Sequence, residues 1–329
     1  MPLFLTAAER ELIRAGQGRA PLHRYFWALH NRASKRAAEP GLRDVTATPE
    51  WWHYLAEYLT DGAMACALKP TEQLAAWVRD VTLAVARRPV DDWVGPWFRN
   101  HREPKTGHLE TAHVSWSIAV ALDLCPEVFP THEQDELRDA LATRAIPLCR
   151  RWMETTHHLA NWRCVLGAGL TVAAAVLDDR EALEEARQHF LVTTQTFQPD
   201  GSNAESLQYG NYAAYTSMLS CEALLRAGVE VSPARYAGYA RWAAHSLFYC
   251  KPLSGWGAQP RPRSANFNDC GAITAPSPDL LLHLAARARD SHPTEAALAR
   301  WLVDTVYEPT VGQGPQDRAT FGFVNRLAS

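Results

Sequence analysis

The strongest constraint in this sequence is an apolar pattern of helical period that runs through nearly its whole length. Apolar residues return every three or four positions, and Pro, Gly or Asp interrupt the pattern between runs. The alternation of period two that marks β-strands is nearly absent. The pattern therefore predicts an all-α protein without a sheet.

The predicted helices cover residues 6–15, 22–38, 50–68, 71–87, 108–124, 132–154, 160–177, 180–195, 204–227, 233–250, 276–289 and 294–307. Three longer irregular segments, 88–107, 195–202 and 251–275, interrupt them. Long loops inside a compact domain are often functional. These segments are therefore candidates for a binding site.

Short connections between most helices predict antiparallel helical hairpins. No period of roughly 34 to 47 residues recurs, which disfavours a solenoid. The sequence is therefore predicted to form one domain over residues 1–329. Its expected architecture is an all-α toroid, incomplete or closed, of about five to six α/α hairpins. Residues 1–48 are expected to form N-terminal helices and a linker, 49–310 the toroid body and 311–329 a tail.

Composition argues against several functions. The 33 basic and 36 acidic residues give a formal net charge of −3 without a long run of one sign, so no nucleic-acid partner is expected. No apolar stretch approaches about 18 residues, so no membrane partner is expected either. The N-terminus lacks the pattern of a signal peptide, which predicts a soluble cytoplasmic protein, or a secreted one if a leader has been removed. The oligomeric state is left open.

The seven cysteines are scattered singly, without a CxxC pair. They are predicted to be reduced core residues rather than disulfides or zinc ligands. No metal site and no other cofactor is expected, because no histidine or acidic pair has ligand spacing.

The first motif is Asn161-Trp162, at the start of a predicted helix. Asn161 can cap that helix, or it can offer its amide to a ligand at the positive end of the helix. Both interpretations stay open on the sequence.

The second motif is the turn Asp200-Gly201-Ser202 and the helix after it, which Ser202 or Asn203 can cap. Glu205, Gln208, Tyr209 and Tyr212 follow at spacings of three and four and are predicted to share one helix face. Such a polar face is typical of a water-filled cleft, although tyrosines can also line a helix interface.

Together these motifs resemble those of the heparinase II/III-like polysaccharide lyases. Members carry an Asn-Trp or Asn-His pair at the head of one helix, and an Asp-Gly turn leading to a Glu and a tyrosine pair on a later helix. Residues 107–113 and 266–269 resemble the family more weakly. The resemblance implies β-elimination on an anionic polysaccharide or oligosaccharide that contains uronic acid.

The resemblance also implies residue roles. Asn161 neutralises the C6 carboxylate and Tyr209 acts as the proton donor or base, with Tyr212 as its replacement if the match shifts by one turn. Apart from the resemblance, a tyrosine with a pKa of about 10 needs a nearby positive charge or a hydrogen-bonded histidine to act as a base at neutral pH. The candidates for that partner are Arg102, Arg163, Arg261, Arg263 and His113. The expected substrate-binding residues are Trp97, Arg102, Trp162, Glu205, Tyr212, Arg261, Arg263 and Asp269.

The sequence departs from the family in two places. Trp162 stands where some members have a histidine, so a proton acceptor is expected from elsewhere, with His157 and His158 as candidates. The β-sandwich that usually follows the toroid in the family is not expected within residues 1–329. A glycoside hydrolase on the same architecture is one alternative, with Glu205 and Asp269, or Asp200 and Glu110, as carboxylates about 5 to 10 Å apart. A non-catalytic glycan-binding toroid is the other.

Overall fold

A computed structural model describes residues 3–39, 51–94, 103–250, 261–264 and 276–307. Its helices are α1 (Ala7–Gly16), α2 (Leu22–Ala38), α3 (Trp51–Leu68), α4 (Glu72–Ala86), α5 (Val90–Val94), α6 (Leu109–Leu124), α7 (Thr131–Ala140), α8 (Ile146–Thr155), α9 (Asn161–Leu177), α10 (Arg180–Thr193), α11 (Leu207–Arg226), α12 (Ala234–Ala237), α13 (Tyr239–Ser246), α14 (Pro278–Arg287) and α15 (Pro293–Leu302). Two strands, β1 (Leu247–Cys250) and β2 (Arg261–Ser264), pair in antiparallel fashion.

An inner layer of helices forms the centre of the fold. Helix α6 packs between α3 and α9, and α9 packs between α6 and α11, which in turn contacts α14. Helices α2, α4, α8 and α10 pack outside them, between successive inner helices along the chain. The predicted all-α toroid of helical hairpins is confirmed.

The inner helices are apolar on nearly every side. All residues of α6 from Glu110 to Leu122 are buried, as are those of α9 from Arg163 to Ala175. A helix of this kind must be surrounded by other elements, because no face of it suits water. Gly169 allows the close approach, since a Cβ placed there would lie 2.6 Å from the Cα of Ala112.

Most helix boundaries match the prediction. The predicted helix 132–154 is divided into α7 and α8 by a π-helical turn at Leu141–Ala145, and the predicted helix 233–250 is divided into α12 and α13. Residues 247–250 were predicted to be helical but form a strand, because Leu-Phe-Tyr-Cys is a β-favouring segment that finds a distant partner in 261–264. The predicted irregular segment 88–107 contains helix α5. The proposed division of the domain stays a prediction, since residues 40–50 and 308–329 lie outside the described part.

Five cysteines are buried as free thiols: Cys66, Cys125, Cys149, Cys164 and Cys221. This confirms the predicted core role for those five. None of the helices in the described ranges is both long and apolar enough to cross a bilayer.

A buried ionic network joins the ends of α11 and α14. The Glu222 carboxylate accepts hydrogen bonds from His283 Nδ1 at 2.8 Å, Arg287 Nη2 at 2.9 Å and Arg226 Nε at 3.2 Å. Arg226 also contacts Glu9 of α1 at 2.9 Å. Burial alone raises the pKa of Glu222, but His283 and Arg287 outweigh it and hold that pKa well below its ordinary value of 4.5.

Glu222→Gln should destabilise the fold by about 3 to 5 kcal/mol, because Arg287 loses its buried counter-charge and Arg226 keeps only Glu9. Because the pKa of Glu222 is lower in the folded than in the unfolded protein, its carboxylate stabilises the fold at pH values above about 4.5. This stabilisation is lost progressively as the pH falls below that value. Urea unfolding at several pH values should therefore show a stability loss in acid that is smaller in the variant.

Glu136→Gln is the matched control, since Glu136 pairs with Arg87 at the surface. Its cost should stay below about 1 kcal/mol. Equal losses for the two variants would contradict a central role for the buried network.

Candidate functional site

The inner helices α6, α9 and α11 begin on the same face of the fold. At that face, the rings of His108 and Trp162 lie 4.2 Å apart between their centroids, so the heads of α6 and α9 are in contact. At the opposite face, Leu3 bonds to both Asp123 and Arg226, near the ends of α6 and α11. Glu205, just before α11, also bonds to Asn161 at the head of α9, so the three helices are parallel and their positive dipole ends lie together.

Asn161 at the head of α9 is held by a carboxylate from the segment before α11. Glu205 Oε2 accepts from the Asn161 backbone N at 2.8 Å, and Glu205 Oε1 accepts from Asn161 Nδ2 at 2.5 Å. Asn161 is only 3% exposed, and its Oδ1 has no hydrogen-bond partner among the described residues. Asn161 is the first residue of α9 and does not cap it, so the capping interpretation is wrong.

The segment before α11 is shaped by its own side chains. Asp200 Oδ1 accepts from Ser202 N at 2.9 Å, and Asn203 Oδ1 accepts from Glu205 N at 3.0 Å. Ser206 caps α11 by accepting from Tyr209 N at 3.1 Å. The predicted cap at Ser202 or Asn203 is therefore wrong, because Ser206 fulfils that role.

This later start of α11 changes the predicted polar face. Glu205 precedes the helix rather than lying on it, while Tyr209 and Tyr212 remain one turn apart on α11. The backbone turn at Asn203 directs Glu205 toward α9 instead. Glu205 thus contacts Asn161 for a tertiary reason that helical spacing does not contain.

Gly201 fixes the position of this turn against a neighbouring element. It has a φ of 86°, and a Cβ placed on it would lie 1.9 Å from the carbonyl carbon of Gly238, between α12 and α13. Only glycine fits a left-handed residue at such a close backbone contact.

Gly201→Ala should destabilise the protein more than Gly228→Ala, which supplies a matched control. Gly228 has a similar φ of 81°, but a Cβ placed on it would meet nothing within 4 Å. Backbone strain should cost about 1 to 2 kcal/mol in both variants, and overpacking about 1 to 3 kcal/mol more at Gly201. Denaturant unfolding measures both, and equal losses would refute the close-packing argument.

Tyr212 of α11 contacts His113 of α6. Its hydroxyl hydrogen-bonds His113 Nε2, and the two rings stack with centroids 5.8 Å apart. Burial raises the pKa of Tyr212 well above 10, and the charges of Glu110 and Tyr209 add to this effect. Tyr212 therefore keeps its proton at neutral pH unless a neighbouring base accepts it.

Two buried residues at the head of α6 extend this cluster. His108 Nδ1 lies 3.3 Å from Glu110 Oε2, and both side chains are almost fully buried. From the sequence, both residues belong to the weakly resembling segment 107–113, where Glu110 had a role only in the hydrolase alternative and His108 had none. The sequence feature that could have identified these two residues is the grouping of His108, Glu110 and His113 at the head of one helix.

A third tyrosine lies near two further inner helices. Burial raises the pKa of Tyr215 well above 10, with contributions from Asp279 of α14 and Asp61 of α3. From the sequence, neither Tyr215 nor either aspartate had a predicted role. The sequence feature that could have identified Tyr215 is its spacing, since it follows Tyr212 by three residues, as Tyr212 follows Tyr209.

Several predicted site residues fall beyond the described side chains. Trp97, Arg102 and Asp269 lie outside the described residues, and Arg261 and Arg263 are described only as backbone of β2. Trp162 is half-buried at the head of α9, next to His108.

The arginine that follows Trp162 has a structural role. Arg163 Nη1 donates to the backbone O of Thr156 at 2.6 Å, and burial lowers its pKa. It therefore supports the loop before α9. His157 and His158 are exposed on that loop.

The carboxylates proposed for a hydrolase differ in their surroundings. Asp200 is exposed, and the hydrogen bond from Ser202 N lowers its pKa, whereas Glu110 is buried beside His108. Glu205 is engaged by Asn161. In the described ranges, no group of three or more His, Cys, Asp or Glu side chains could hold a metal ion.

No family model matches this chain, and no curated protein matches its sequence. Among solved structures, it is similar to an alginate lyase from Bacteroides ovatus, with a TM-score of 0.59 and 10% sequence identity. The match covers 98% of this chain and 98% of that chain. The chain shares its fold with a polysaccharide lyase. Membership of the heparinase II/III-like family stays a prediction, because a likeness at this identity carries the fold alone.

Proposed function

We propose that this protein cleaves a polysaccharide or oligosaccharide that contains uronic acid, by β-elimination. The observation that carries the proposal is that Asn161, held by Glu205, begins α9, while the hydrogen-bonded pair of His113 and Tyr212 joins the first two turns of α6 and α11. The shared fold with an alginate lyase supports the same substrate class.

Elimination requires three steps at one sugar. The C6 carboxylate must be neutralised so that the C5 proton becomes acidic, that proton must be removed, and the departing O4 must be protonated. The electrons of the C5–H bond form the C4=C5 double bond as the C4–O4 bond breaks.

We assign neutralisation of the C6 carboxylate to Asn161. Its amide is rigid, because Glu205 binds both the backbone N and Nδ2. It also lies at the positive end of α9, where negative charge is favoured. A fixed dipole at this position stabilises the charge that develops on the carboxyl group in the transition state.

We assign removal of the C5 proton to Tyr212 together with His113. As Tyr212 oxygen takes the C5 proton, its own proton passes to His113 Nε2, to which it is already hydrogen-bonded. A phenolate whose pKa lies well above 10 is a strong base, so this pairing makes a high tyrosine pKa useful at neutral pH.

Tyr209 then protonates O4. It lies one turn before Tyr212 on α11, is half-buried, and is near enough for its charge to raise the pKa of Tyr212. A neutral tyrosine is a suitable acid for a leaving alkoxide. Trp97, Arg102, Trp162, Arg261, Arg263 and Asp269 are retained as substrate-binding proposals.

To test this proposal, alginate and other uronic-acid polymers are incubated with the protein, and the unsaturated uronate that β-elimination forms is followed by its ultraviolet absorbance. Asn161→Ala should lower kcat by about 10²- to 10³-fold. Tyr209→Phe and Tyr212→Phe should each lower it by about 10²- to 10⁴-fold. Asn31→Ala, at an exposed position of α2, is the matched control and should retain activity.

A substrate with a leaving group at C4 that needs no protonation separates the two tyrosines. It should restore turnover to Tyr209→Phe but not to Tyr212→Phe. New reducing ends without absorbance would identify a hydrolase, and binding without any cleavage would identify a glycan-binding protein. Either result would overturn the lyase proposal.

A further inference from the structure

The hydrogen bonds between Asn161 and Glu205 do not involve Asn161 Oδ1 or the second hydrogen on Nδ2. Glu205 contacts the backbone N and Nδ2 together, so its carboxylate lies on the Cβ side of the amide. A carboxylate accepts hydrogen bonds only, which fixes Nδ2 rather than Oδ1 toward Glu205. Oδ1 and the second Nδ2 hydrogen therefore lie side by side, directed away from Glu205.

Asn161 Oδ1 is buried and has no hydrogen-bond partner among the described residues. A buried acceptor without a partner costs free energy, so a ligand that donates a hydrogen bond to this oxygen removes that cost and binds more tightly. A plain carboxylate cannot do this, because it has no hydrogen to donate. A carboxyl group that carries its proton offers a donor and an acceptor side by side.

We infer that Glu205 is a positioning residue that makes Asn161 bind the uronic-acid carboxyl in its protonated form. The uronate takes up one proton from solvent as it binds. Asn161 Oδ1 then accepts from the acid hydroxyl, and Asn161 Nδ2 donates to the acid carbonyl. The inference rests on the proposed function and adds the state in which the substrate is bound. It also changes the expected role of Glu205 from substrate contact to support of Asn161.

The charge of Glu205 acts in the same direction and opposes the positive end of α9, which by itself favours an anion. The Glu205 carboxylate lies directly behind the Asn161 amide, and a nearby negative charge favours the neutral form of a bound acid. Loss of the carboxylate charge makes the C5 hydrogen more acidic, which is the first requirement of elimination. Glu205 thus assists the reaction through Asn161 without touching the sugar.

Glu205→Gln tests this arrangement because it keeps the size of the side chain. Its Oε1 can still accept from the Asn161 backbone N, but its Nε2 now faces the Asn161 amide as a donor. The Asn161 amide should therefore rotate so that its Oδ1 accepts the hydrogen bond from Gln Nε2. Asn161 Nδ2 then faces the ligand and can only donate hydrogen bonds to it. The variant should therefore favour ligands that only accept hydrogen bonds.

The kinetic experiment compares an alginate tetrasaccharide with its methyl ester, which is uncharged but has no acid hydrogen. The preference of the wild-type protein for the free acid, measured as a ratio of kcat/KM values, should fall by at least about 10-fold in Glu205→Gln. In an Asn161→Ala background, Glu205→Gln should change kcat less than about 2-fold. An unchanged ratio, or additive losses in the double variant, would overturn the inference.

A second measurement does not depend on turnover. Hydrogen exchange of the Asn161 side-chain amide, followed by NMR, should be at least about 10-fold faster in Glu205→Gln, because Nδ2 no longer bonds to residue 205. Equal exchange rates would overturn the positioning role. If elimination is absent from every uronic-acid substrate but this change occurs, the proposed function fails while the role of Glu205 stands.

Discussion

The burial of whole helices constrains this structure more than any single bond. Helices α6 and α9 have almost no surface suited to water, and Gly169 lets their backbones come close at Ala112. Each must have neighbours on all sides, which a two-layer ring of helices provides. The outer helices have one apolar face and complete the burial.

Parallel inner helices concentrate polar chemistry at one face of the ring. Their positive ends lie together there, and Asn161, His113 and Tyr209 fall within the first two turns of three different inner helices. The polar residues of this region are expensive to bury. Hydrogen bonds between helices offset that cost, as Glu205 does for the first turn of α9.

The opposite face is held by a separate ionic network around Glu222. It ties α11 and α14 to each other and, through Arg226 and Glu9, to the first helix of the chain. One end of the inner layer is therefore fixed by buried charge. The other end retains an incompletely satisfied amide, as is common where a protein binds a ligand.

The sequence by itself determined the helices and most of their boundaries, because an apolar period is a local property that each segment carries alone. It also singled out Asn161, Tyr209 and His113 as residues of interest. It could not provide the strand pairing of 247–250 with 261–264. Only the tertiary structure decided how the polar side chains are used. Glu205 bonds to Asn161 over 44 positions of sequence, and Tyr212 bonds to His113 over 99. Such partners depend on how helices pack across the ring, and helical spacing describes only neighbours on one helix. For the same reason, Ser206 rather than Asn203 became the cap of α11, which placed Glu205 before the helix and within reach of Asn161.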